Sequence, residues 1–283
     1  MLIYIDQQFF SLPIIYRVLI SVFAISLIGA TAYKLKQLTI SGLIAAFVMG
    51  FLSLFLGGTS ALMMYLFFLI SAAFIGKLSK KVRGINKIQK KGGKRDYMQV
   101  LANGLPALIA IILYRLTTNS VFLIVFTASL AEACADTWGG DIGVLSKDDP
   151  ISIVSGKRVE KGLSGGISLL GCAASMLAVV LYAIFYYSTF NANLSGALLV
   201  ASSGFAGCLI DSVLGGTIQV HYLDEKSGKL TEKEIDENGK KRRAVRGIKF
   251  FDNDIVNLTS NIFSALLALS IGLLLHIYAL PIN

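Results

Sequence analysis

Three carboxylates, a basic pair and a Gly/Ser cluster fall within one stretch, Ala131 to Gly171. An apolar run ends in Glu132, Asp136, Thr137 and Asp141. A polar loop then carries Lys157, Arg158, Gly162, Ser164, Gly165, Gly166 and Ser168 straight into a second apolar run. Acids suit a divalent cation such as Mg²⁺, which takes oxygen ligands and bridges carboxylates to substrate phosphates. Lysine, arginine and backbone N–H groups beside glycines suit phosphate. Both sets at the ends of apolar segments point to phosphate chemistry on a lipid. No Gly-x-x-x-x-Gly-Lys-Ser/Thr motif occurs, so a P-loop kinase is excluded.

The elements that must hold these groups are membrane helices. The chain has 283 residues, 55% of them hydrophobic. Its mean hydropathy is +0.70, beyond what a soluble core needs. Apolar segments are expected at about 13–33, 38–57, 60–76, 98–116, 119–138, 166–188, 195–219 and 255–278, long enough to span a bilayer. The fold class expected is all-α: one polytopic domain over 1–283 with about eight transmembrane helices. Met1 to Asp6 lacks a basic n-region, so no secretory signal is expected. Cys134, Cys172 and Cys208 are isolated and form no Cys-x-x-Cys pair, which indicates neither a zinc site nor a disulfide framework.

Of the 26 Lys and Arg, all but Arg17 and Arg115 fall in alternate connections, Lys34–Gln37, Lys77–Tyr97, Gly139–Gly165 and Val220–Asp254. The positive-inside rule makes those connections cytoplasmic and both termini non-cytoplasmic. The net charge of +9 is thereby explained by topology, and nucleic acid is not expected as a partner. The long cytoplasmic loops are about 77–97, 139–165 and 220–254, the last with an Asn238-Gly239 turn signal between strand-like pieces, read as a small hairpin or a flap.

This topology puts the polar residues at one depth. Glu132 and Asp136 are four apart and share a helix face near its cytoplasmic end. Asp211 lies late in the seventh segment, Asp254 opens the eighth, and Asn103 stands just inside the fourth, below Arg95. Clustered acids repel unless cations are present. Asp136, Asp141, Asp211 and Asp254 are the expected Mg²⁺ ligands, with Glu132 as ligand or base. Gly204, Gly207, Asp211 and Gly215 form one helical stripe whose small residues admit a close neighbour. Arg95, at the membrane surface, is expected either to clamp a phosphate in bidentate fashion or only to anchor its helix in the headgroup layer.

The motifs together resemble the integral membrane family that contains plant phytyl-phosphate kinase and animal transmembrane protein 19. The resemblance runs from about Lys94 to Ala265. It rests on Lys94-Arg95-Asp96 with Asn103-Gly104, Ala135-Asp136-Thr137, Gly156-Lys157 through Ser164-Gly165-Gly166 to Gly171, Gly204 to Gly215 with Asp211-Ser212, and Asn253-Asp254 with Asn257. It implies phosphate- or substrate-binding roles for Lys94, Thr137, Ser212, Asn253 and Asn257. Asp141 stands where relatives often carry Glu, and the loop Leu223–Arg246 lacks the cysteines of some relatives. The implied activity is a membrane kinase that converts an isoprenoid monophosphate to its diphosphate. The implied donor is a nucleoside triphosphate, CTP favoured, because the family is similar to the CTP-dependent polyprenol kinases and cytidylyltransferases. Cytidylyl transfer to give a CDP-lipid is the nearest alternative. A transporter ranks third, because no internal repeat is visible and the charged residues gather at one face rather than at the midplane.

Overall fold

The computed structural model describes residues 2–79, 94–190, 192–236 and 238–277, so most of the basic run 77–97 lies outside the described residues. Eight described helices follow in order: α1 (Leu2–Ser11), α2 (Ile14–Lys34), α3 (Ile40–Ser79), α4 (Tyr97–Thr117), α5 (Val121–Gly143), α6 (Leu169–Thr189), α7 (Leu194–Thr217) and α8 (Asn253–Leu274). Seven of them are long and apolar enough to cross a membrane. The eighth, α1, was not expected from the sequence; its ten residues are too few to span.

Helix α3 accounts for two of the expected segments. Its 40 residues would run roughly 60 Å if straight, about twice a bilayer core. Gly58 breaks it, at φ 76° and ψ −170°, a conformation that only glycine adopts easily. The two arms then fold back on each other. Tyr65 donates to the Gly104 carbonyl at 2.8 Å, and a Cβ on Gly104 would also meet the Met49 side chain. Residues on both sides of Gly58 therefore reach the same turn of α4.

A broken helix leaves carbonyls unpaired on one side and N–H groups on the other. Three charged residues fill them. Asp6 of α1 accepts from the Thr59 amide at 2.5 Å and from the amide and hydroxyl of Ser60. Arg17 donates to the Phe55 carbonyl at 2.7 Å, and Arg115 donates to that of Leu56. This is why these two arginines depart from the charge asymmetry of the rest of the chain.

Helix α5 is the centre of the bundle, packed against α3, α4, α6, α7 and α8. It runs further than expected, to Gly143, so Asp141 is on the helix and the loop begins at Val144. Small residues set its neighbours close: Ser175 of α6 donates to the Ala135 carbonyl at 2.8 Å, and a Cβ on Gly171 would lie 2.8 Å from the Gly139 carbonyl oxygen.

The all-α expectation needs one addition at the end of the bundle opposite Gly58. Strands β1 (Ile151–Ser152) and β2 (Gly166–Ile167) pair between α5 and α6. Strands β3 (His221–Asp224), β4 (Lys229–Thr231) and β5 (Ala244–Arg246) form an antiparallel sheet in the order β4-β3-β5. The expected hairpin is thus a three-stranded flap. Asn238 and Gly239 do make a turn, with Gly239 at φ 81°, but it lies between β4 and β5 beside an Ile235–Lys241 bridge.

Candidate active site

Three carboxylates from two helices meet at the flap end of the bundle. Asp136 of α5 and Asp211 of α7 bring their carboxyl groups close together. Below them the Ser260 hydroxyl of α8 lies 2.8 Å from Glu132 Oε1 and 3.0 Å from Asp211 Oδ2. The glycine stripe makes this possible. A Cβ on Gly204 would lie 2.9 Å from the Ala131 Cβ, and one on Gly207 2.6 Å from the Glu132 Cγ. With its amide nitrogen turned inward, Asn257 donates to Asn253 O at 2.8 Å and to Asp211 Oδ2 at 3.3 Å. Asp254 is buried on the next turn, where Asp252 caps the helix by accepting from the Asp254 and Ile255 amides.

These groups open onto a cavity of about 340 Å³. Asp136, Thr137, Asp211, Ser212, Asn253, Asp254 and Asn257 line it; Ser164, Gly165 and Gly166 close another side, with Lys94, Arg95, Asn103 and Asp141 also on its walls. Glu132 does not line it and stands behind Asp136 and Asp211, 2% exposed. Arg95 is pinned by its backbone: its amide donates to Gln37 O at 2.8 Å and its carbonyl accepts from the Thr39 amide at 3.0 Å. Its guanidinium lies 5.3 Å above the Phe68 ring. Burial pushes that guanidinium below the ordinary arginine value, and nearby Asp141 opposes the shift. Asp141 itself meets the Ser79 hydroxyl at 3.3 Å on the α3 side of the cavity. Asn103 donates to its own helix at Gln99 O, 2.8 Å away.

The Gly/Ser loop is folded as a close-approach turn, with Gly162 at φ 86° and Gly165 at φ 84°. A Cβ on Gly215 of α7 would lie 2.9 Å from that of Ser164, so the stripe's last glycine seats the loop. The N–H groups expected to be free are partly used. Ser168 caps α6 by accepting from the Gly171 amide at 3.1 Å. The Ser164 amide and hydroxyl both donate to the carboxylate of Glu232, beside β4 in the flap. Lys157 and Arg158 are exposed and lie outside the cavity lining, because the β1–β2 pairing turns that part of the loop outward. The cations on the walls besides Lys94 and Arg95 are Lys77 and Lys161, which the sequence reading did not single out. Lys161 Nζ is held at 2.6 Å from Ser146 O. Its place directly before Gly162 was the available signal. Glu232 gave none, since it comes from a distant loop.

Among the described residues, no three His, Cys, Asp or Glu side chains converge closely enough to cage a metal ion. The four acids expected as ligands are therefore not one shell: Asp136 and Asp211 are together, Asp254 is beside them, and Asp141 is on another wall. That donor set fits Mg²⁺, which uses one or two carboxylates and fills its remaining positions with water and phosphate oxygens.

Comparison with known proteins places the chain. It is 30% identical to Protein PGR of Arabidopsis thaliana, over 89% of this chain and 95% of the plant protein. It is 29% identical to an uncharacterized membrane protein of Methanocaldococcus jannaschii, over 77% of this chain and 88% of the archaeal one. No solved structure matches it. A family model matches residues 23–265, which include all eight apolar segments in whole or part, and the chain therefore belongs to the integral membrane protein DUF92 family.

Proposed function

We propose that this protein is a membrane phosphotransferase that moves a phosphoryl group from a nucleoside triphosphate, CTP favoured, to an isoprenoid monophosphate. The observation that carries the reading is the mixed cavity: adjacent carboxylates, four cationic side chains and a glycine loop share one space at one end of a membrane bundle. Polyphosphate with its counter-cation is the ligand chemistry that uses both signs of charge. Asp136 and Asp211, with Asp254 nearby, would hold Mg²⁺, which when bound neutralises phosphate charge, and Asn257 orients Asp211 by donating to its Oδ2. Lys161 and Arg95 stabilise charge on the phosphoryl oxygens from the other walls. An oxygen of the acceptor monophosphate attacks the γ-phosphorus, the bond to the bridging oxygen breaks, and the nucleoside diphosphate leaves. The nucleophile arrives deprotonated, so alignment and electrostatics are the chain's main tasks. Glu132, behind the pair, positions Asp211 through Ser260. The site faces the cytoplasm in this reading, because the Lys/Arg-rich connections share its end of the bundle.

The test is a mass-spectrometric product assay on purified protein with Mg²⁺, each of four nucleoside triphosphates and a panel of prenyl phosphates. The expected products are a prenyl diphosphate and a nucleoside diphosphate, lost on chelation by EDTA. A CDP-lipid with pyrophosphate would replace this reading by cytidylyl transfer, and substrate counterflow in liposomes without turnover would replace it by transport. For orientation, single cysteines at Thr117 and Asn238, with native cysteines removed, should label from opposite sides of sealed membranes.

A further inference from the structure

Residues 243–250 return the chain from the flap to α8, and all of them are exposed. Arg243, Arg246 and Lys249 alternate there with Val245, Ile248 and Phe250, the last 70% exposed. The segment is nevertheless pinned along one side. The Ile248 amide donates to Ile218 O at 2.9 Å, and the Val220 amide donates to Phe251 O at 2.8 Å. The Arg246 guanidinium donates to the Gly216 carbonyl. Gly247, at φ 77°, lies so close to the Gln219 carbonyl that a Cβ would collide with it. The result is a strap laid across the C-terminal end of α7, with its other side turned outward. An apolar patch rimmed by charge marks an interaction surface.

The position of the strap says what covers it. The spanning helix α7 ends at Thr217, and the spanning helix α8 begins at Asn253. The strap touches Ile218 and Gln219 and ends just before α8. It therefore lies where both helices leave the bilayer, at the level of the headgroups. Its charge has one sign: no acid occurs between Gly239 and Phe251. Lys240, Lys241 and Arg242 pair with Glu225, Glu234 and Asp224 of the flap. Among the described residues no carboxylate pairs with Arg243 or Lys249. We propose that the strap docks on the anionic headgroups of the surrounding bilayer, with Ile248 and Phe250 immersed and Arg243 and Lys249 on the lipid anions. Cations beside a membrane helix are drawn to anionic lipid, and apolar side chains between them deepen the contact. Strand β5 lies within the strap, so the same contact steadies the sheet that carries Glu232 to the glycine loop. Nothing in this inference depends on the phosphotransferase reading.

The test is indole fluorescence of the whole protein carrying Phe250→Trp, in nanodiscs without substrate. The quenchers are phosphatidylserine and phosphatidylcholine brominated next to the headgroup, at equal mole fraction. Wild-type protein, whose single Trp138 is buried, gives the background. Each cation near the surface is worth about fivefold in local preference for an anionic lipid. Brominated phosphatidylserine should therefore quench severalfold more than brominated phosphatidylcholine. Arg243→Gln combined with Lys249→Gln should bring the two quenchers level, and so should high salt. Ile248→Trp should repeat the result and guards against a fold defect in the first variant. Lys226→Trp, exposed on the β3–β4 turn a strand's length (roughly 13 Å) further out, should show no lipid quenching. Equal quenching by the two lipids before the charges are removed would overturn the proposal. So would an indole at Phe250 reached by iodide but not by lipid, which leaves the strap in water for a protein partner. Quenching as strong at Lys226→Trp would also overturn it, because the contact would then not be the strap's.

Discussion

At the Gly58 end of the bundle, Asp6 is fully buried and its oxygens accept from Thr59 and Ser60, while Arg17 and Arg115 donate into the carbonyls of Phe55 and Leu56. The rings of Phe10 and Phe55 cover the guanidiniums, at 4.9 and 4.6 Å from Arg17. At the flap end, Asp136 and Asp211 lie together and open onto space, and Asp211 shares the Ser260 hydroxyl with Glu132. Both ends bury charge in an apolar bundle. The first matches each charge to backbone groups orphaned by a broken helix. The second concentrates like charge and leaves a cavity of about 340 Å³. Intramembrane ionisable residues default to function, but their partners differ between the two ends: a charge consumed by helix ends is architecture, and one turned toward a void is a candidate site.

Substitutions at the two ends should therefore fail in opposite ways. Asp211→Asn or Asp136→Asn should lower turnover on the order of 10³-fold, as expected when a carboxylate that holds a metal and faces phosphate is neutralised. Stability should hold or rise, because a like-charge contact is relieved. Turnover and thermal unfolding in the same detergent check both halves; a variant that is active but unfolded early would turn this end into architecture. Asp6→Ala is the counterpart. It strips the cap from the second arm of α3 and should cost about 3 kcal/mol of stability. Turnover per folded molecule should stay within twofold; a large loss of turnover in stable protein would erase the contrast between the ends.

Within the flap end, the cations can be sorted the same way. Lys161→Ala removes a charge from the cavity wall and should raise the apparent KM for a phosphate substrate roughly tenfold, the scale of one charge-assisted contact. Lys157→Ala, on the exposed turn, should change it by less than twofold. Steady-state kinetics on the pair decides; the reverse order would mean that the loop rearranges on binding.

What could be read in the sequence follows from what was local. Helical spacing placed Glu132 and Asp136 on one face, and the Gly204–Gly215 stripe announced the close contact that seats Asp211 beside them. Apolar runs marked the eight segments, with the break near Gly58 inside α3, and the alternating Lys/Arg bias supported their count. Lys157 was favoured over Lys161 because only pairing of Ile151–Ser152 with Gly166–Ile167 turns the first outward. Helix α1 was missed because its role is to cap an element some fifty residues away, and Glu232 because the flap that delivers it has no fixed position until the sheet forms.

The smallest effect concerns that flap. Glu232 holds the Ser164 amide and hydroxyl, and Gln219 donates to the same hydroxyl at 3.0 Å. A carboxylate thus occupies the loop that the sequence reading gives to phosphate. If donor phosphate binds there, Glu232 is its competitor at the start of each cycle and a like charge beside it thereafter. Glu232→Gln keeps an oxygen that accepts from Ser164 and removes the charge. The donor KM should then fall about two- to fivefold, a few tenths to one kcal/mol as for a partly screened charge pair, with the acceptor KM unchanged. The effect should shrink as salt rises, because screening weakens a repulsion but leaves a hydrogen bond nearly intact. A donor KM that is unchanged at low salt, or that rises, would make Glu232 a latch of the flap and move the donor phosphates to the Lys161 and Arg95 walls.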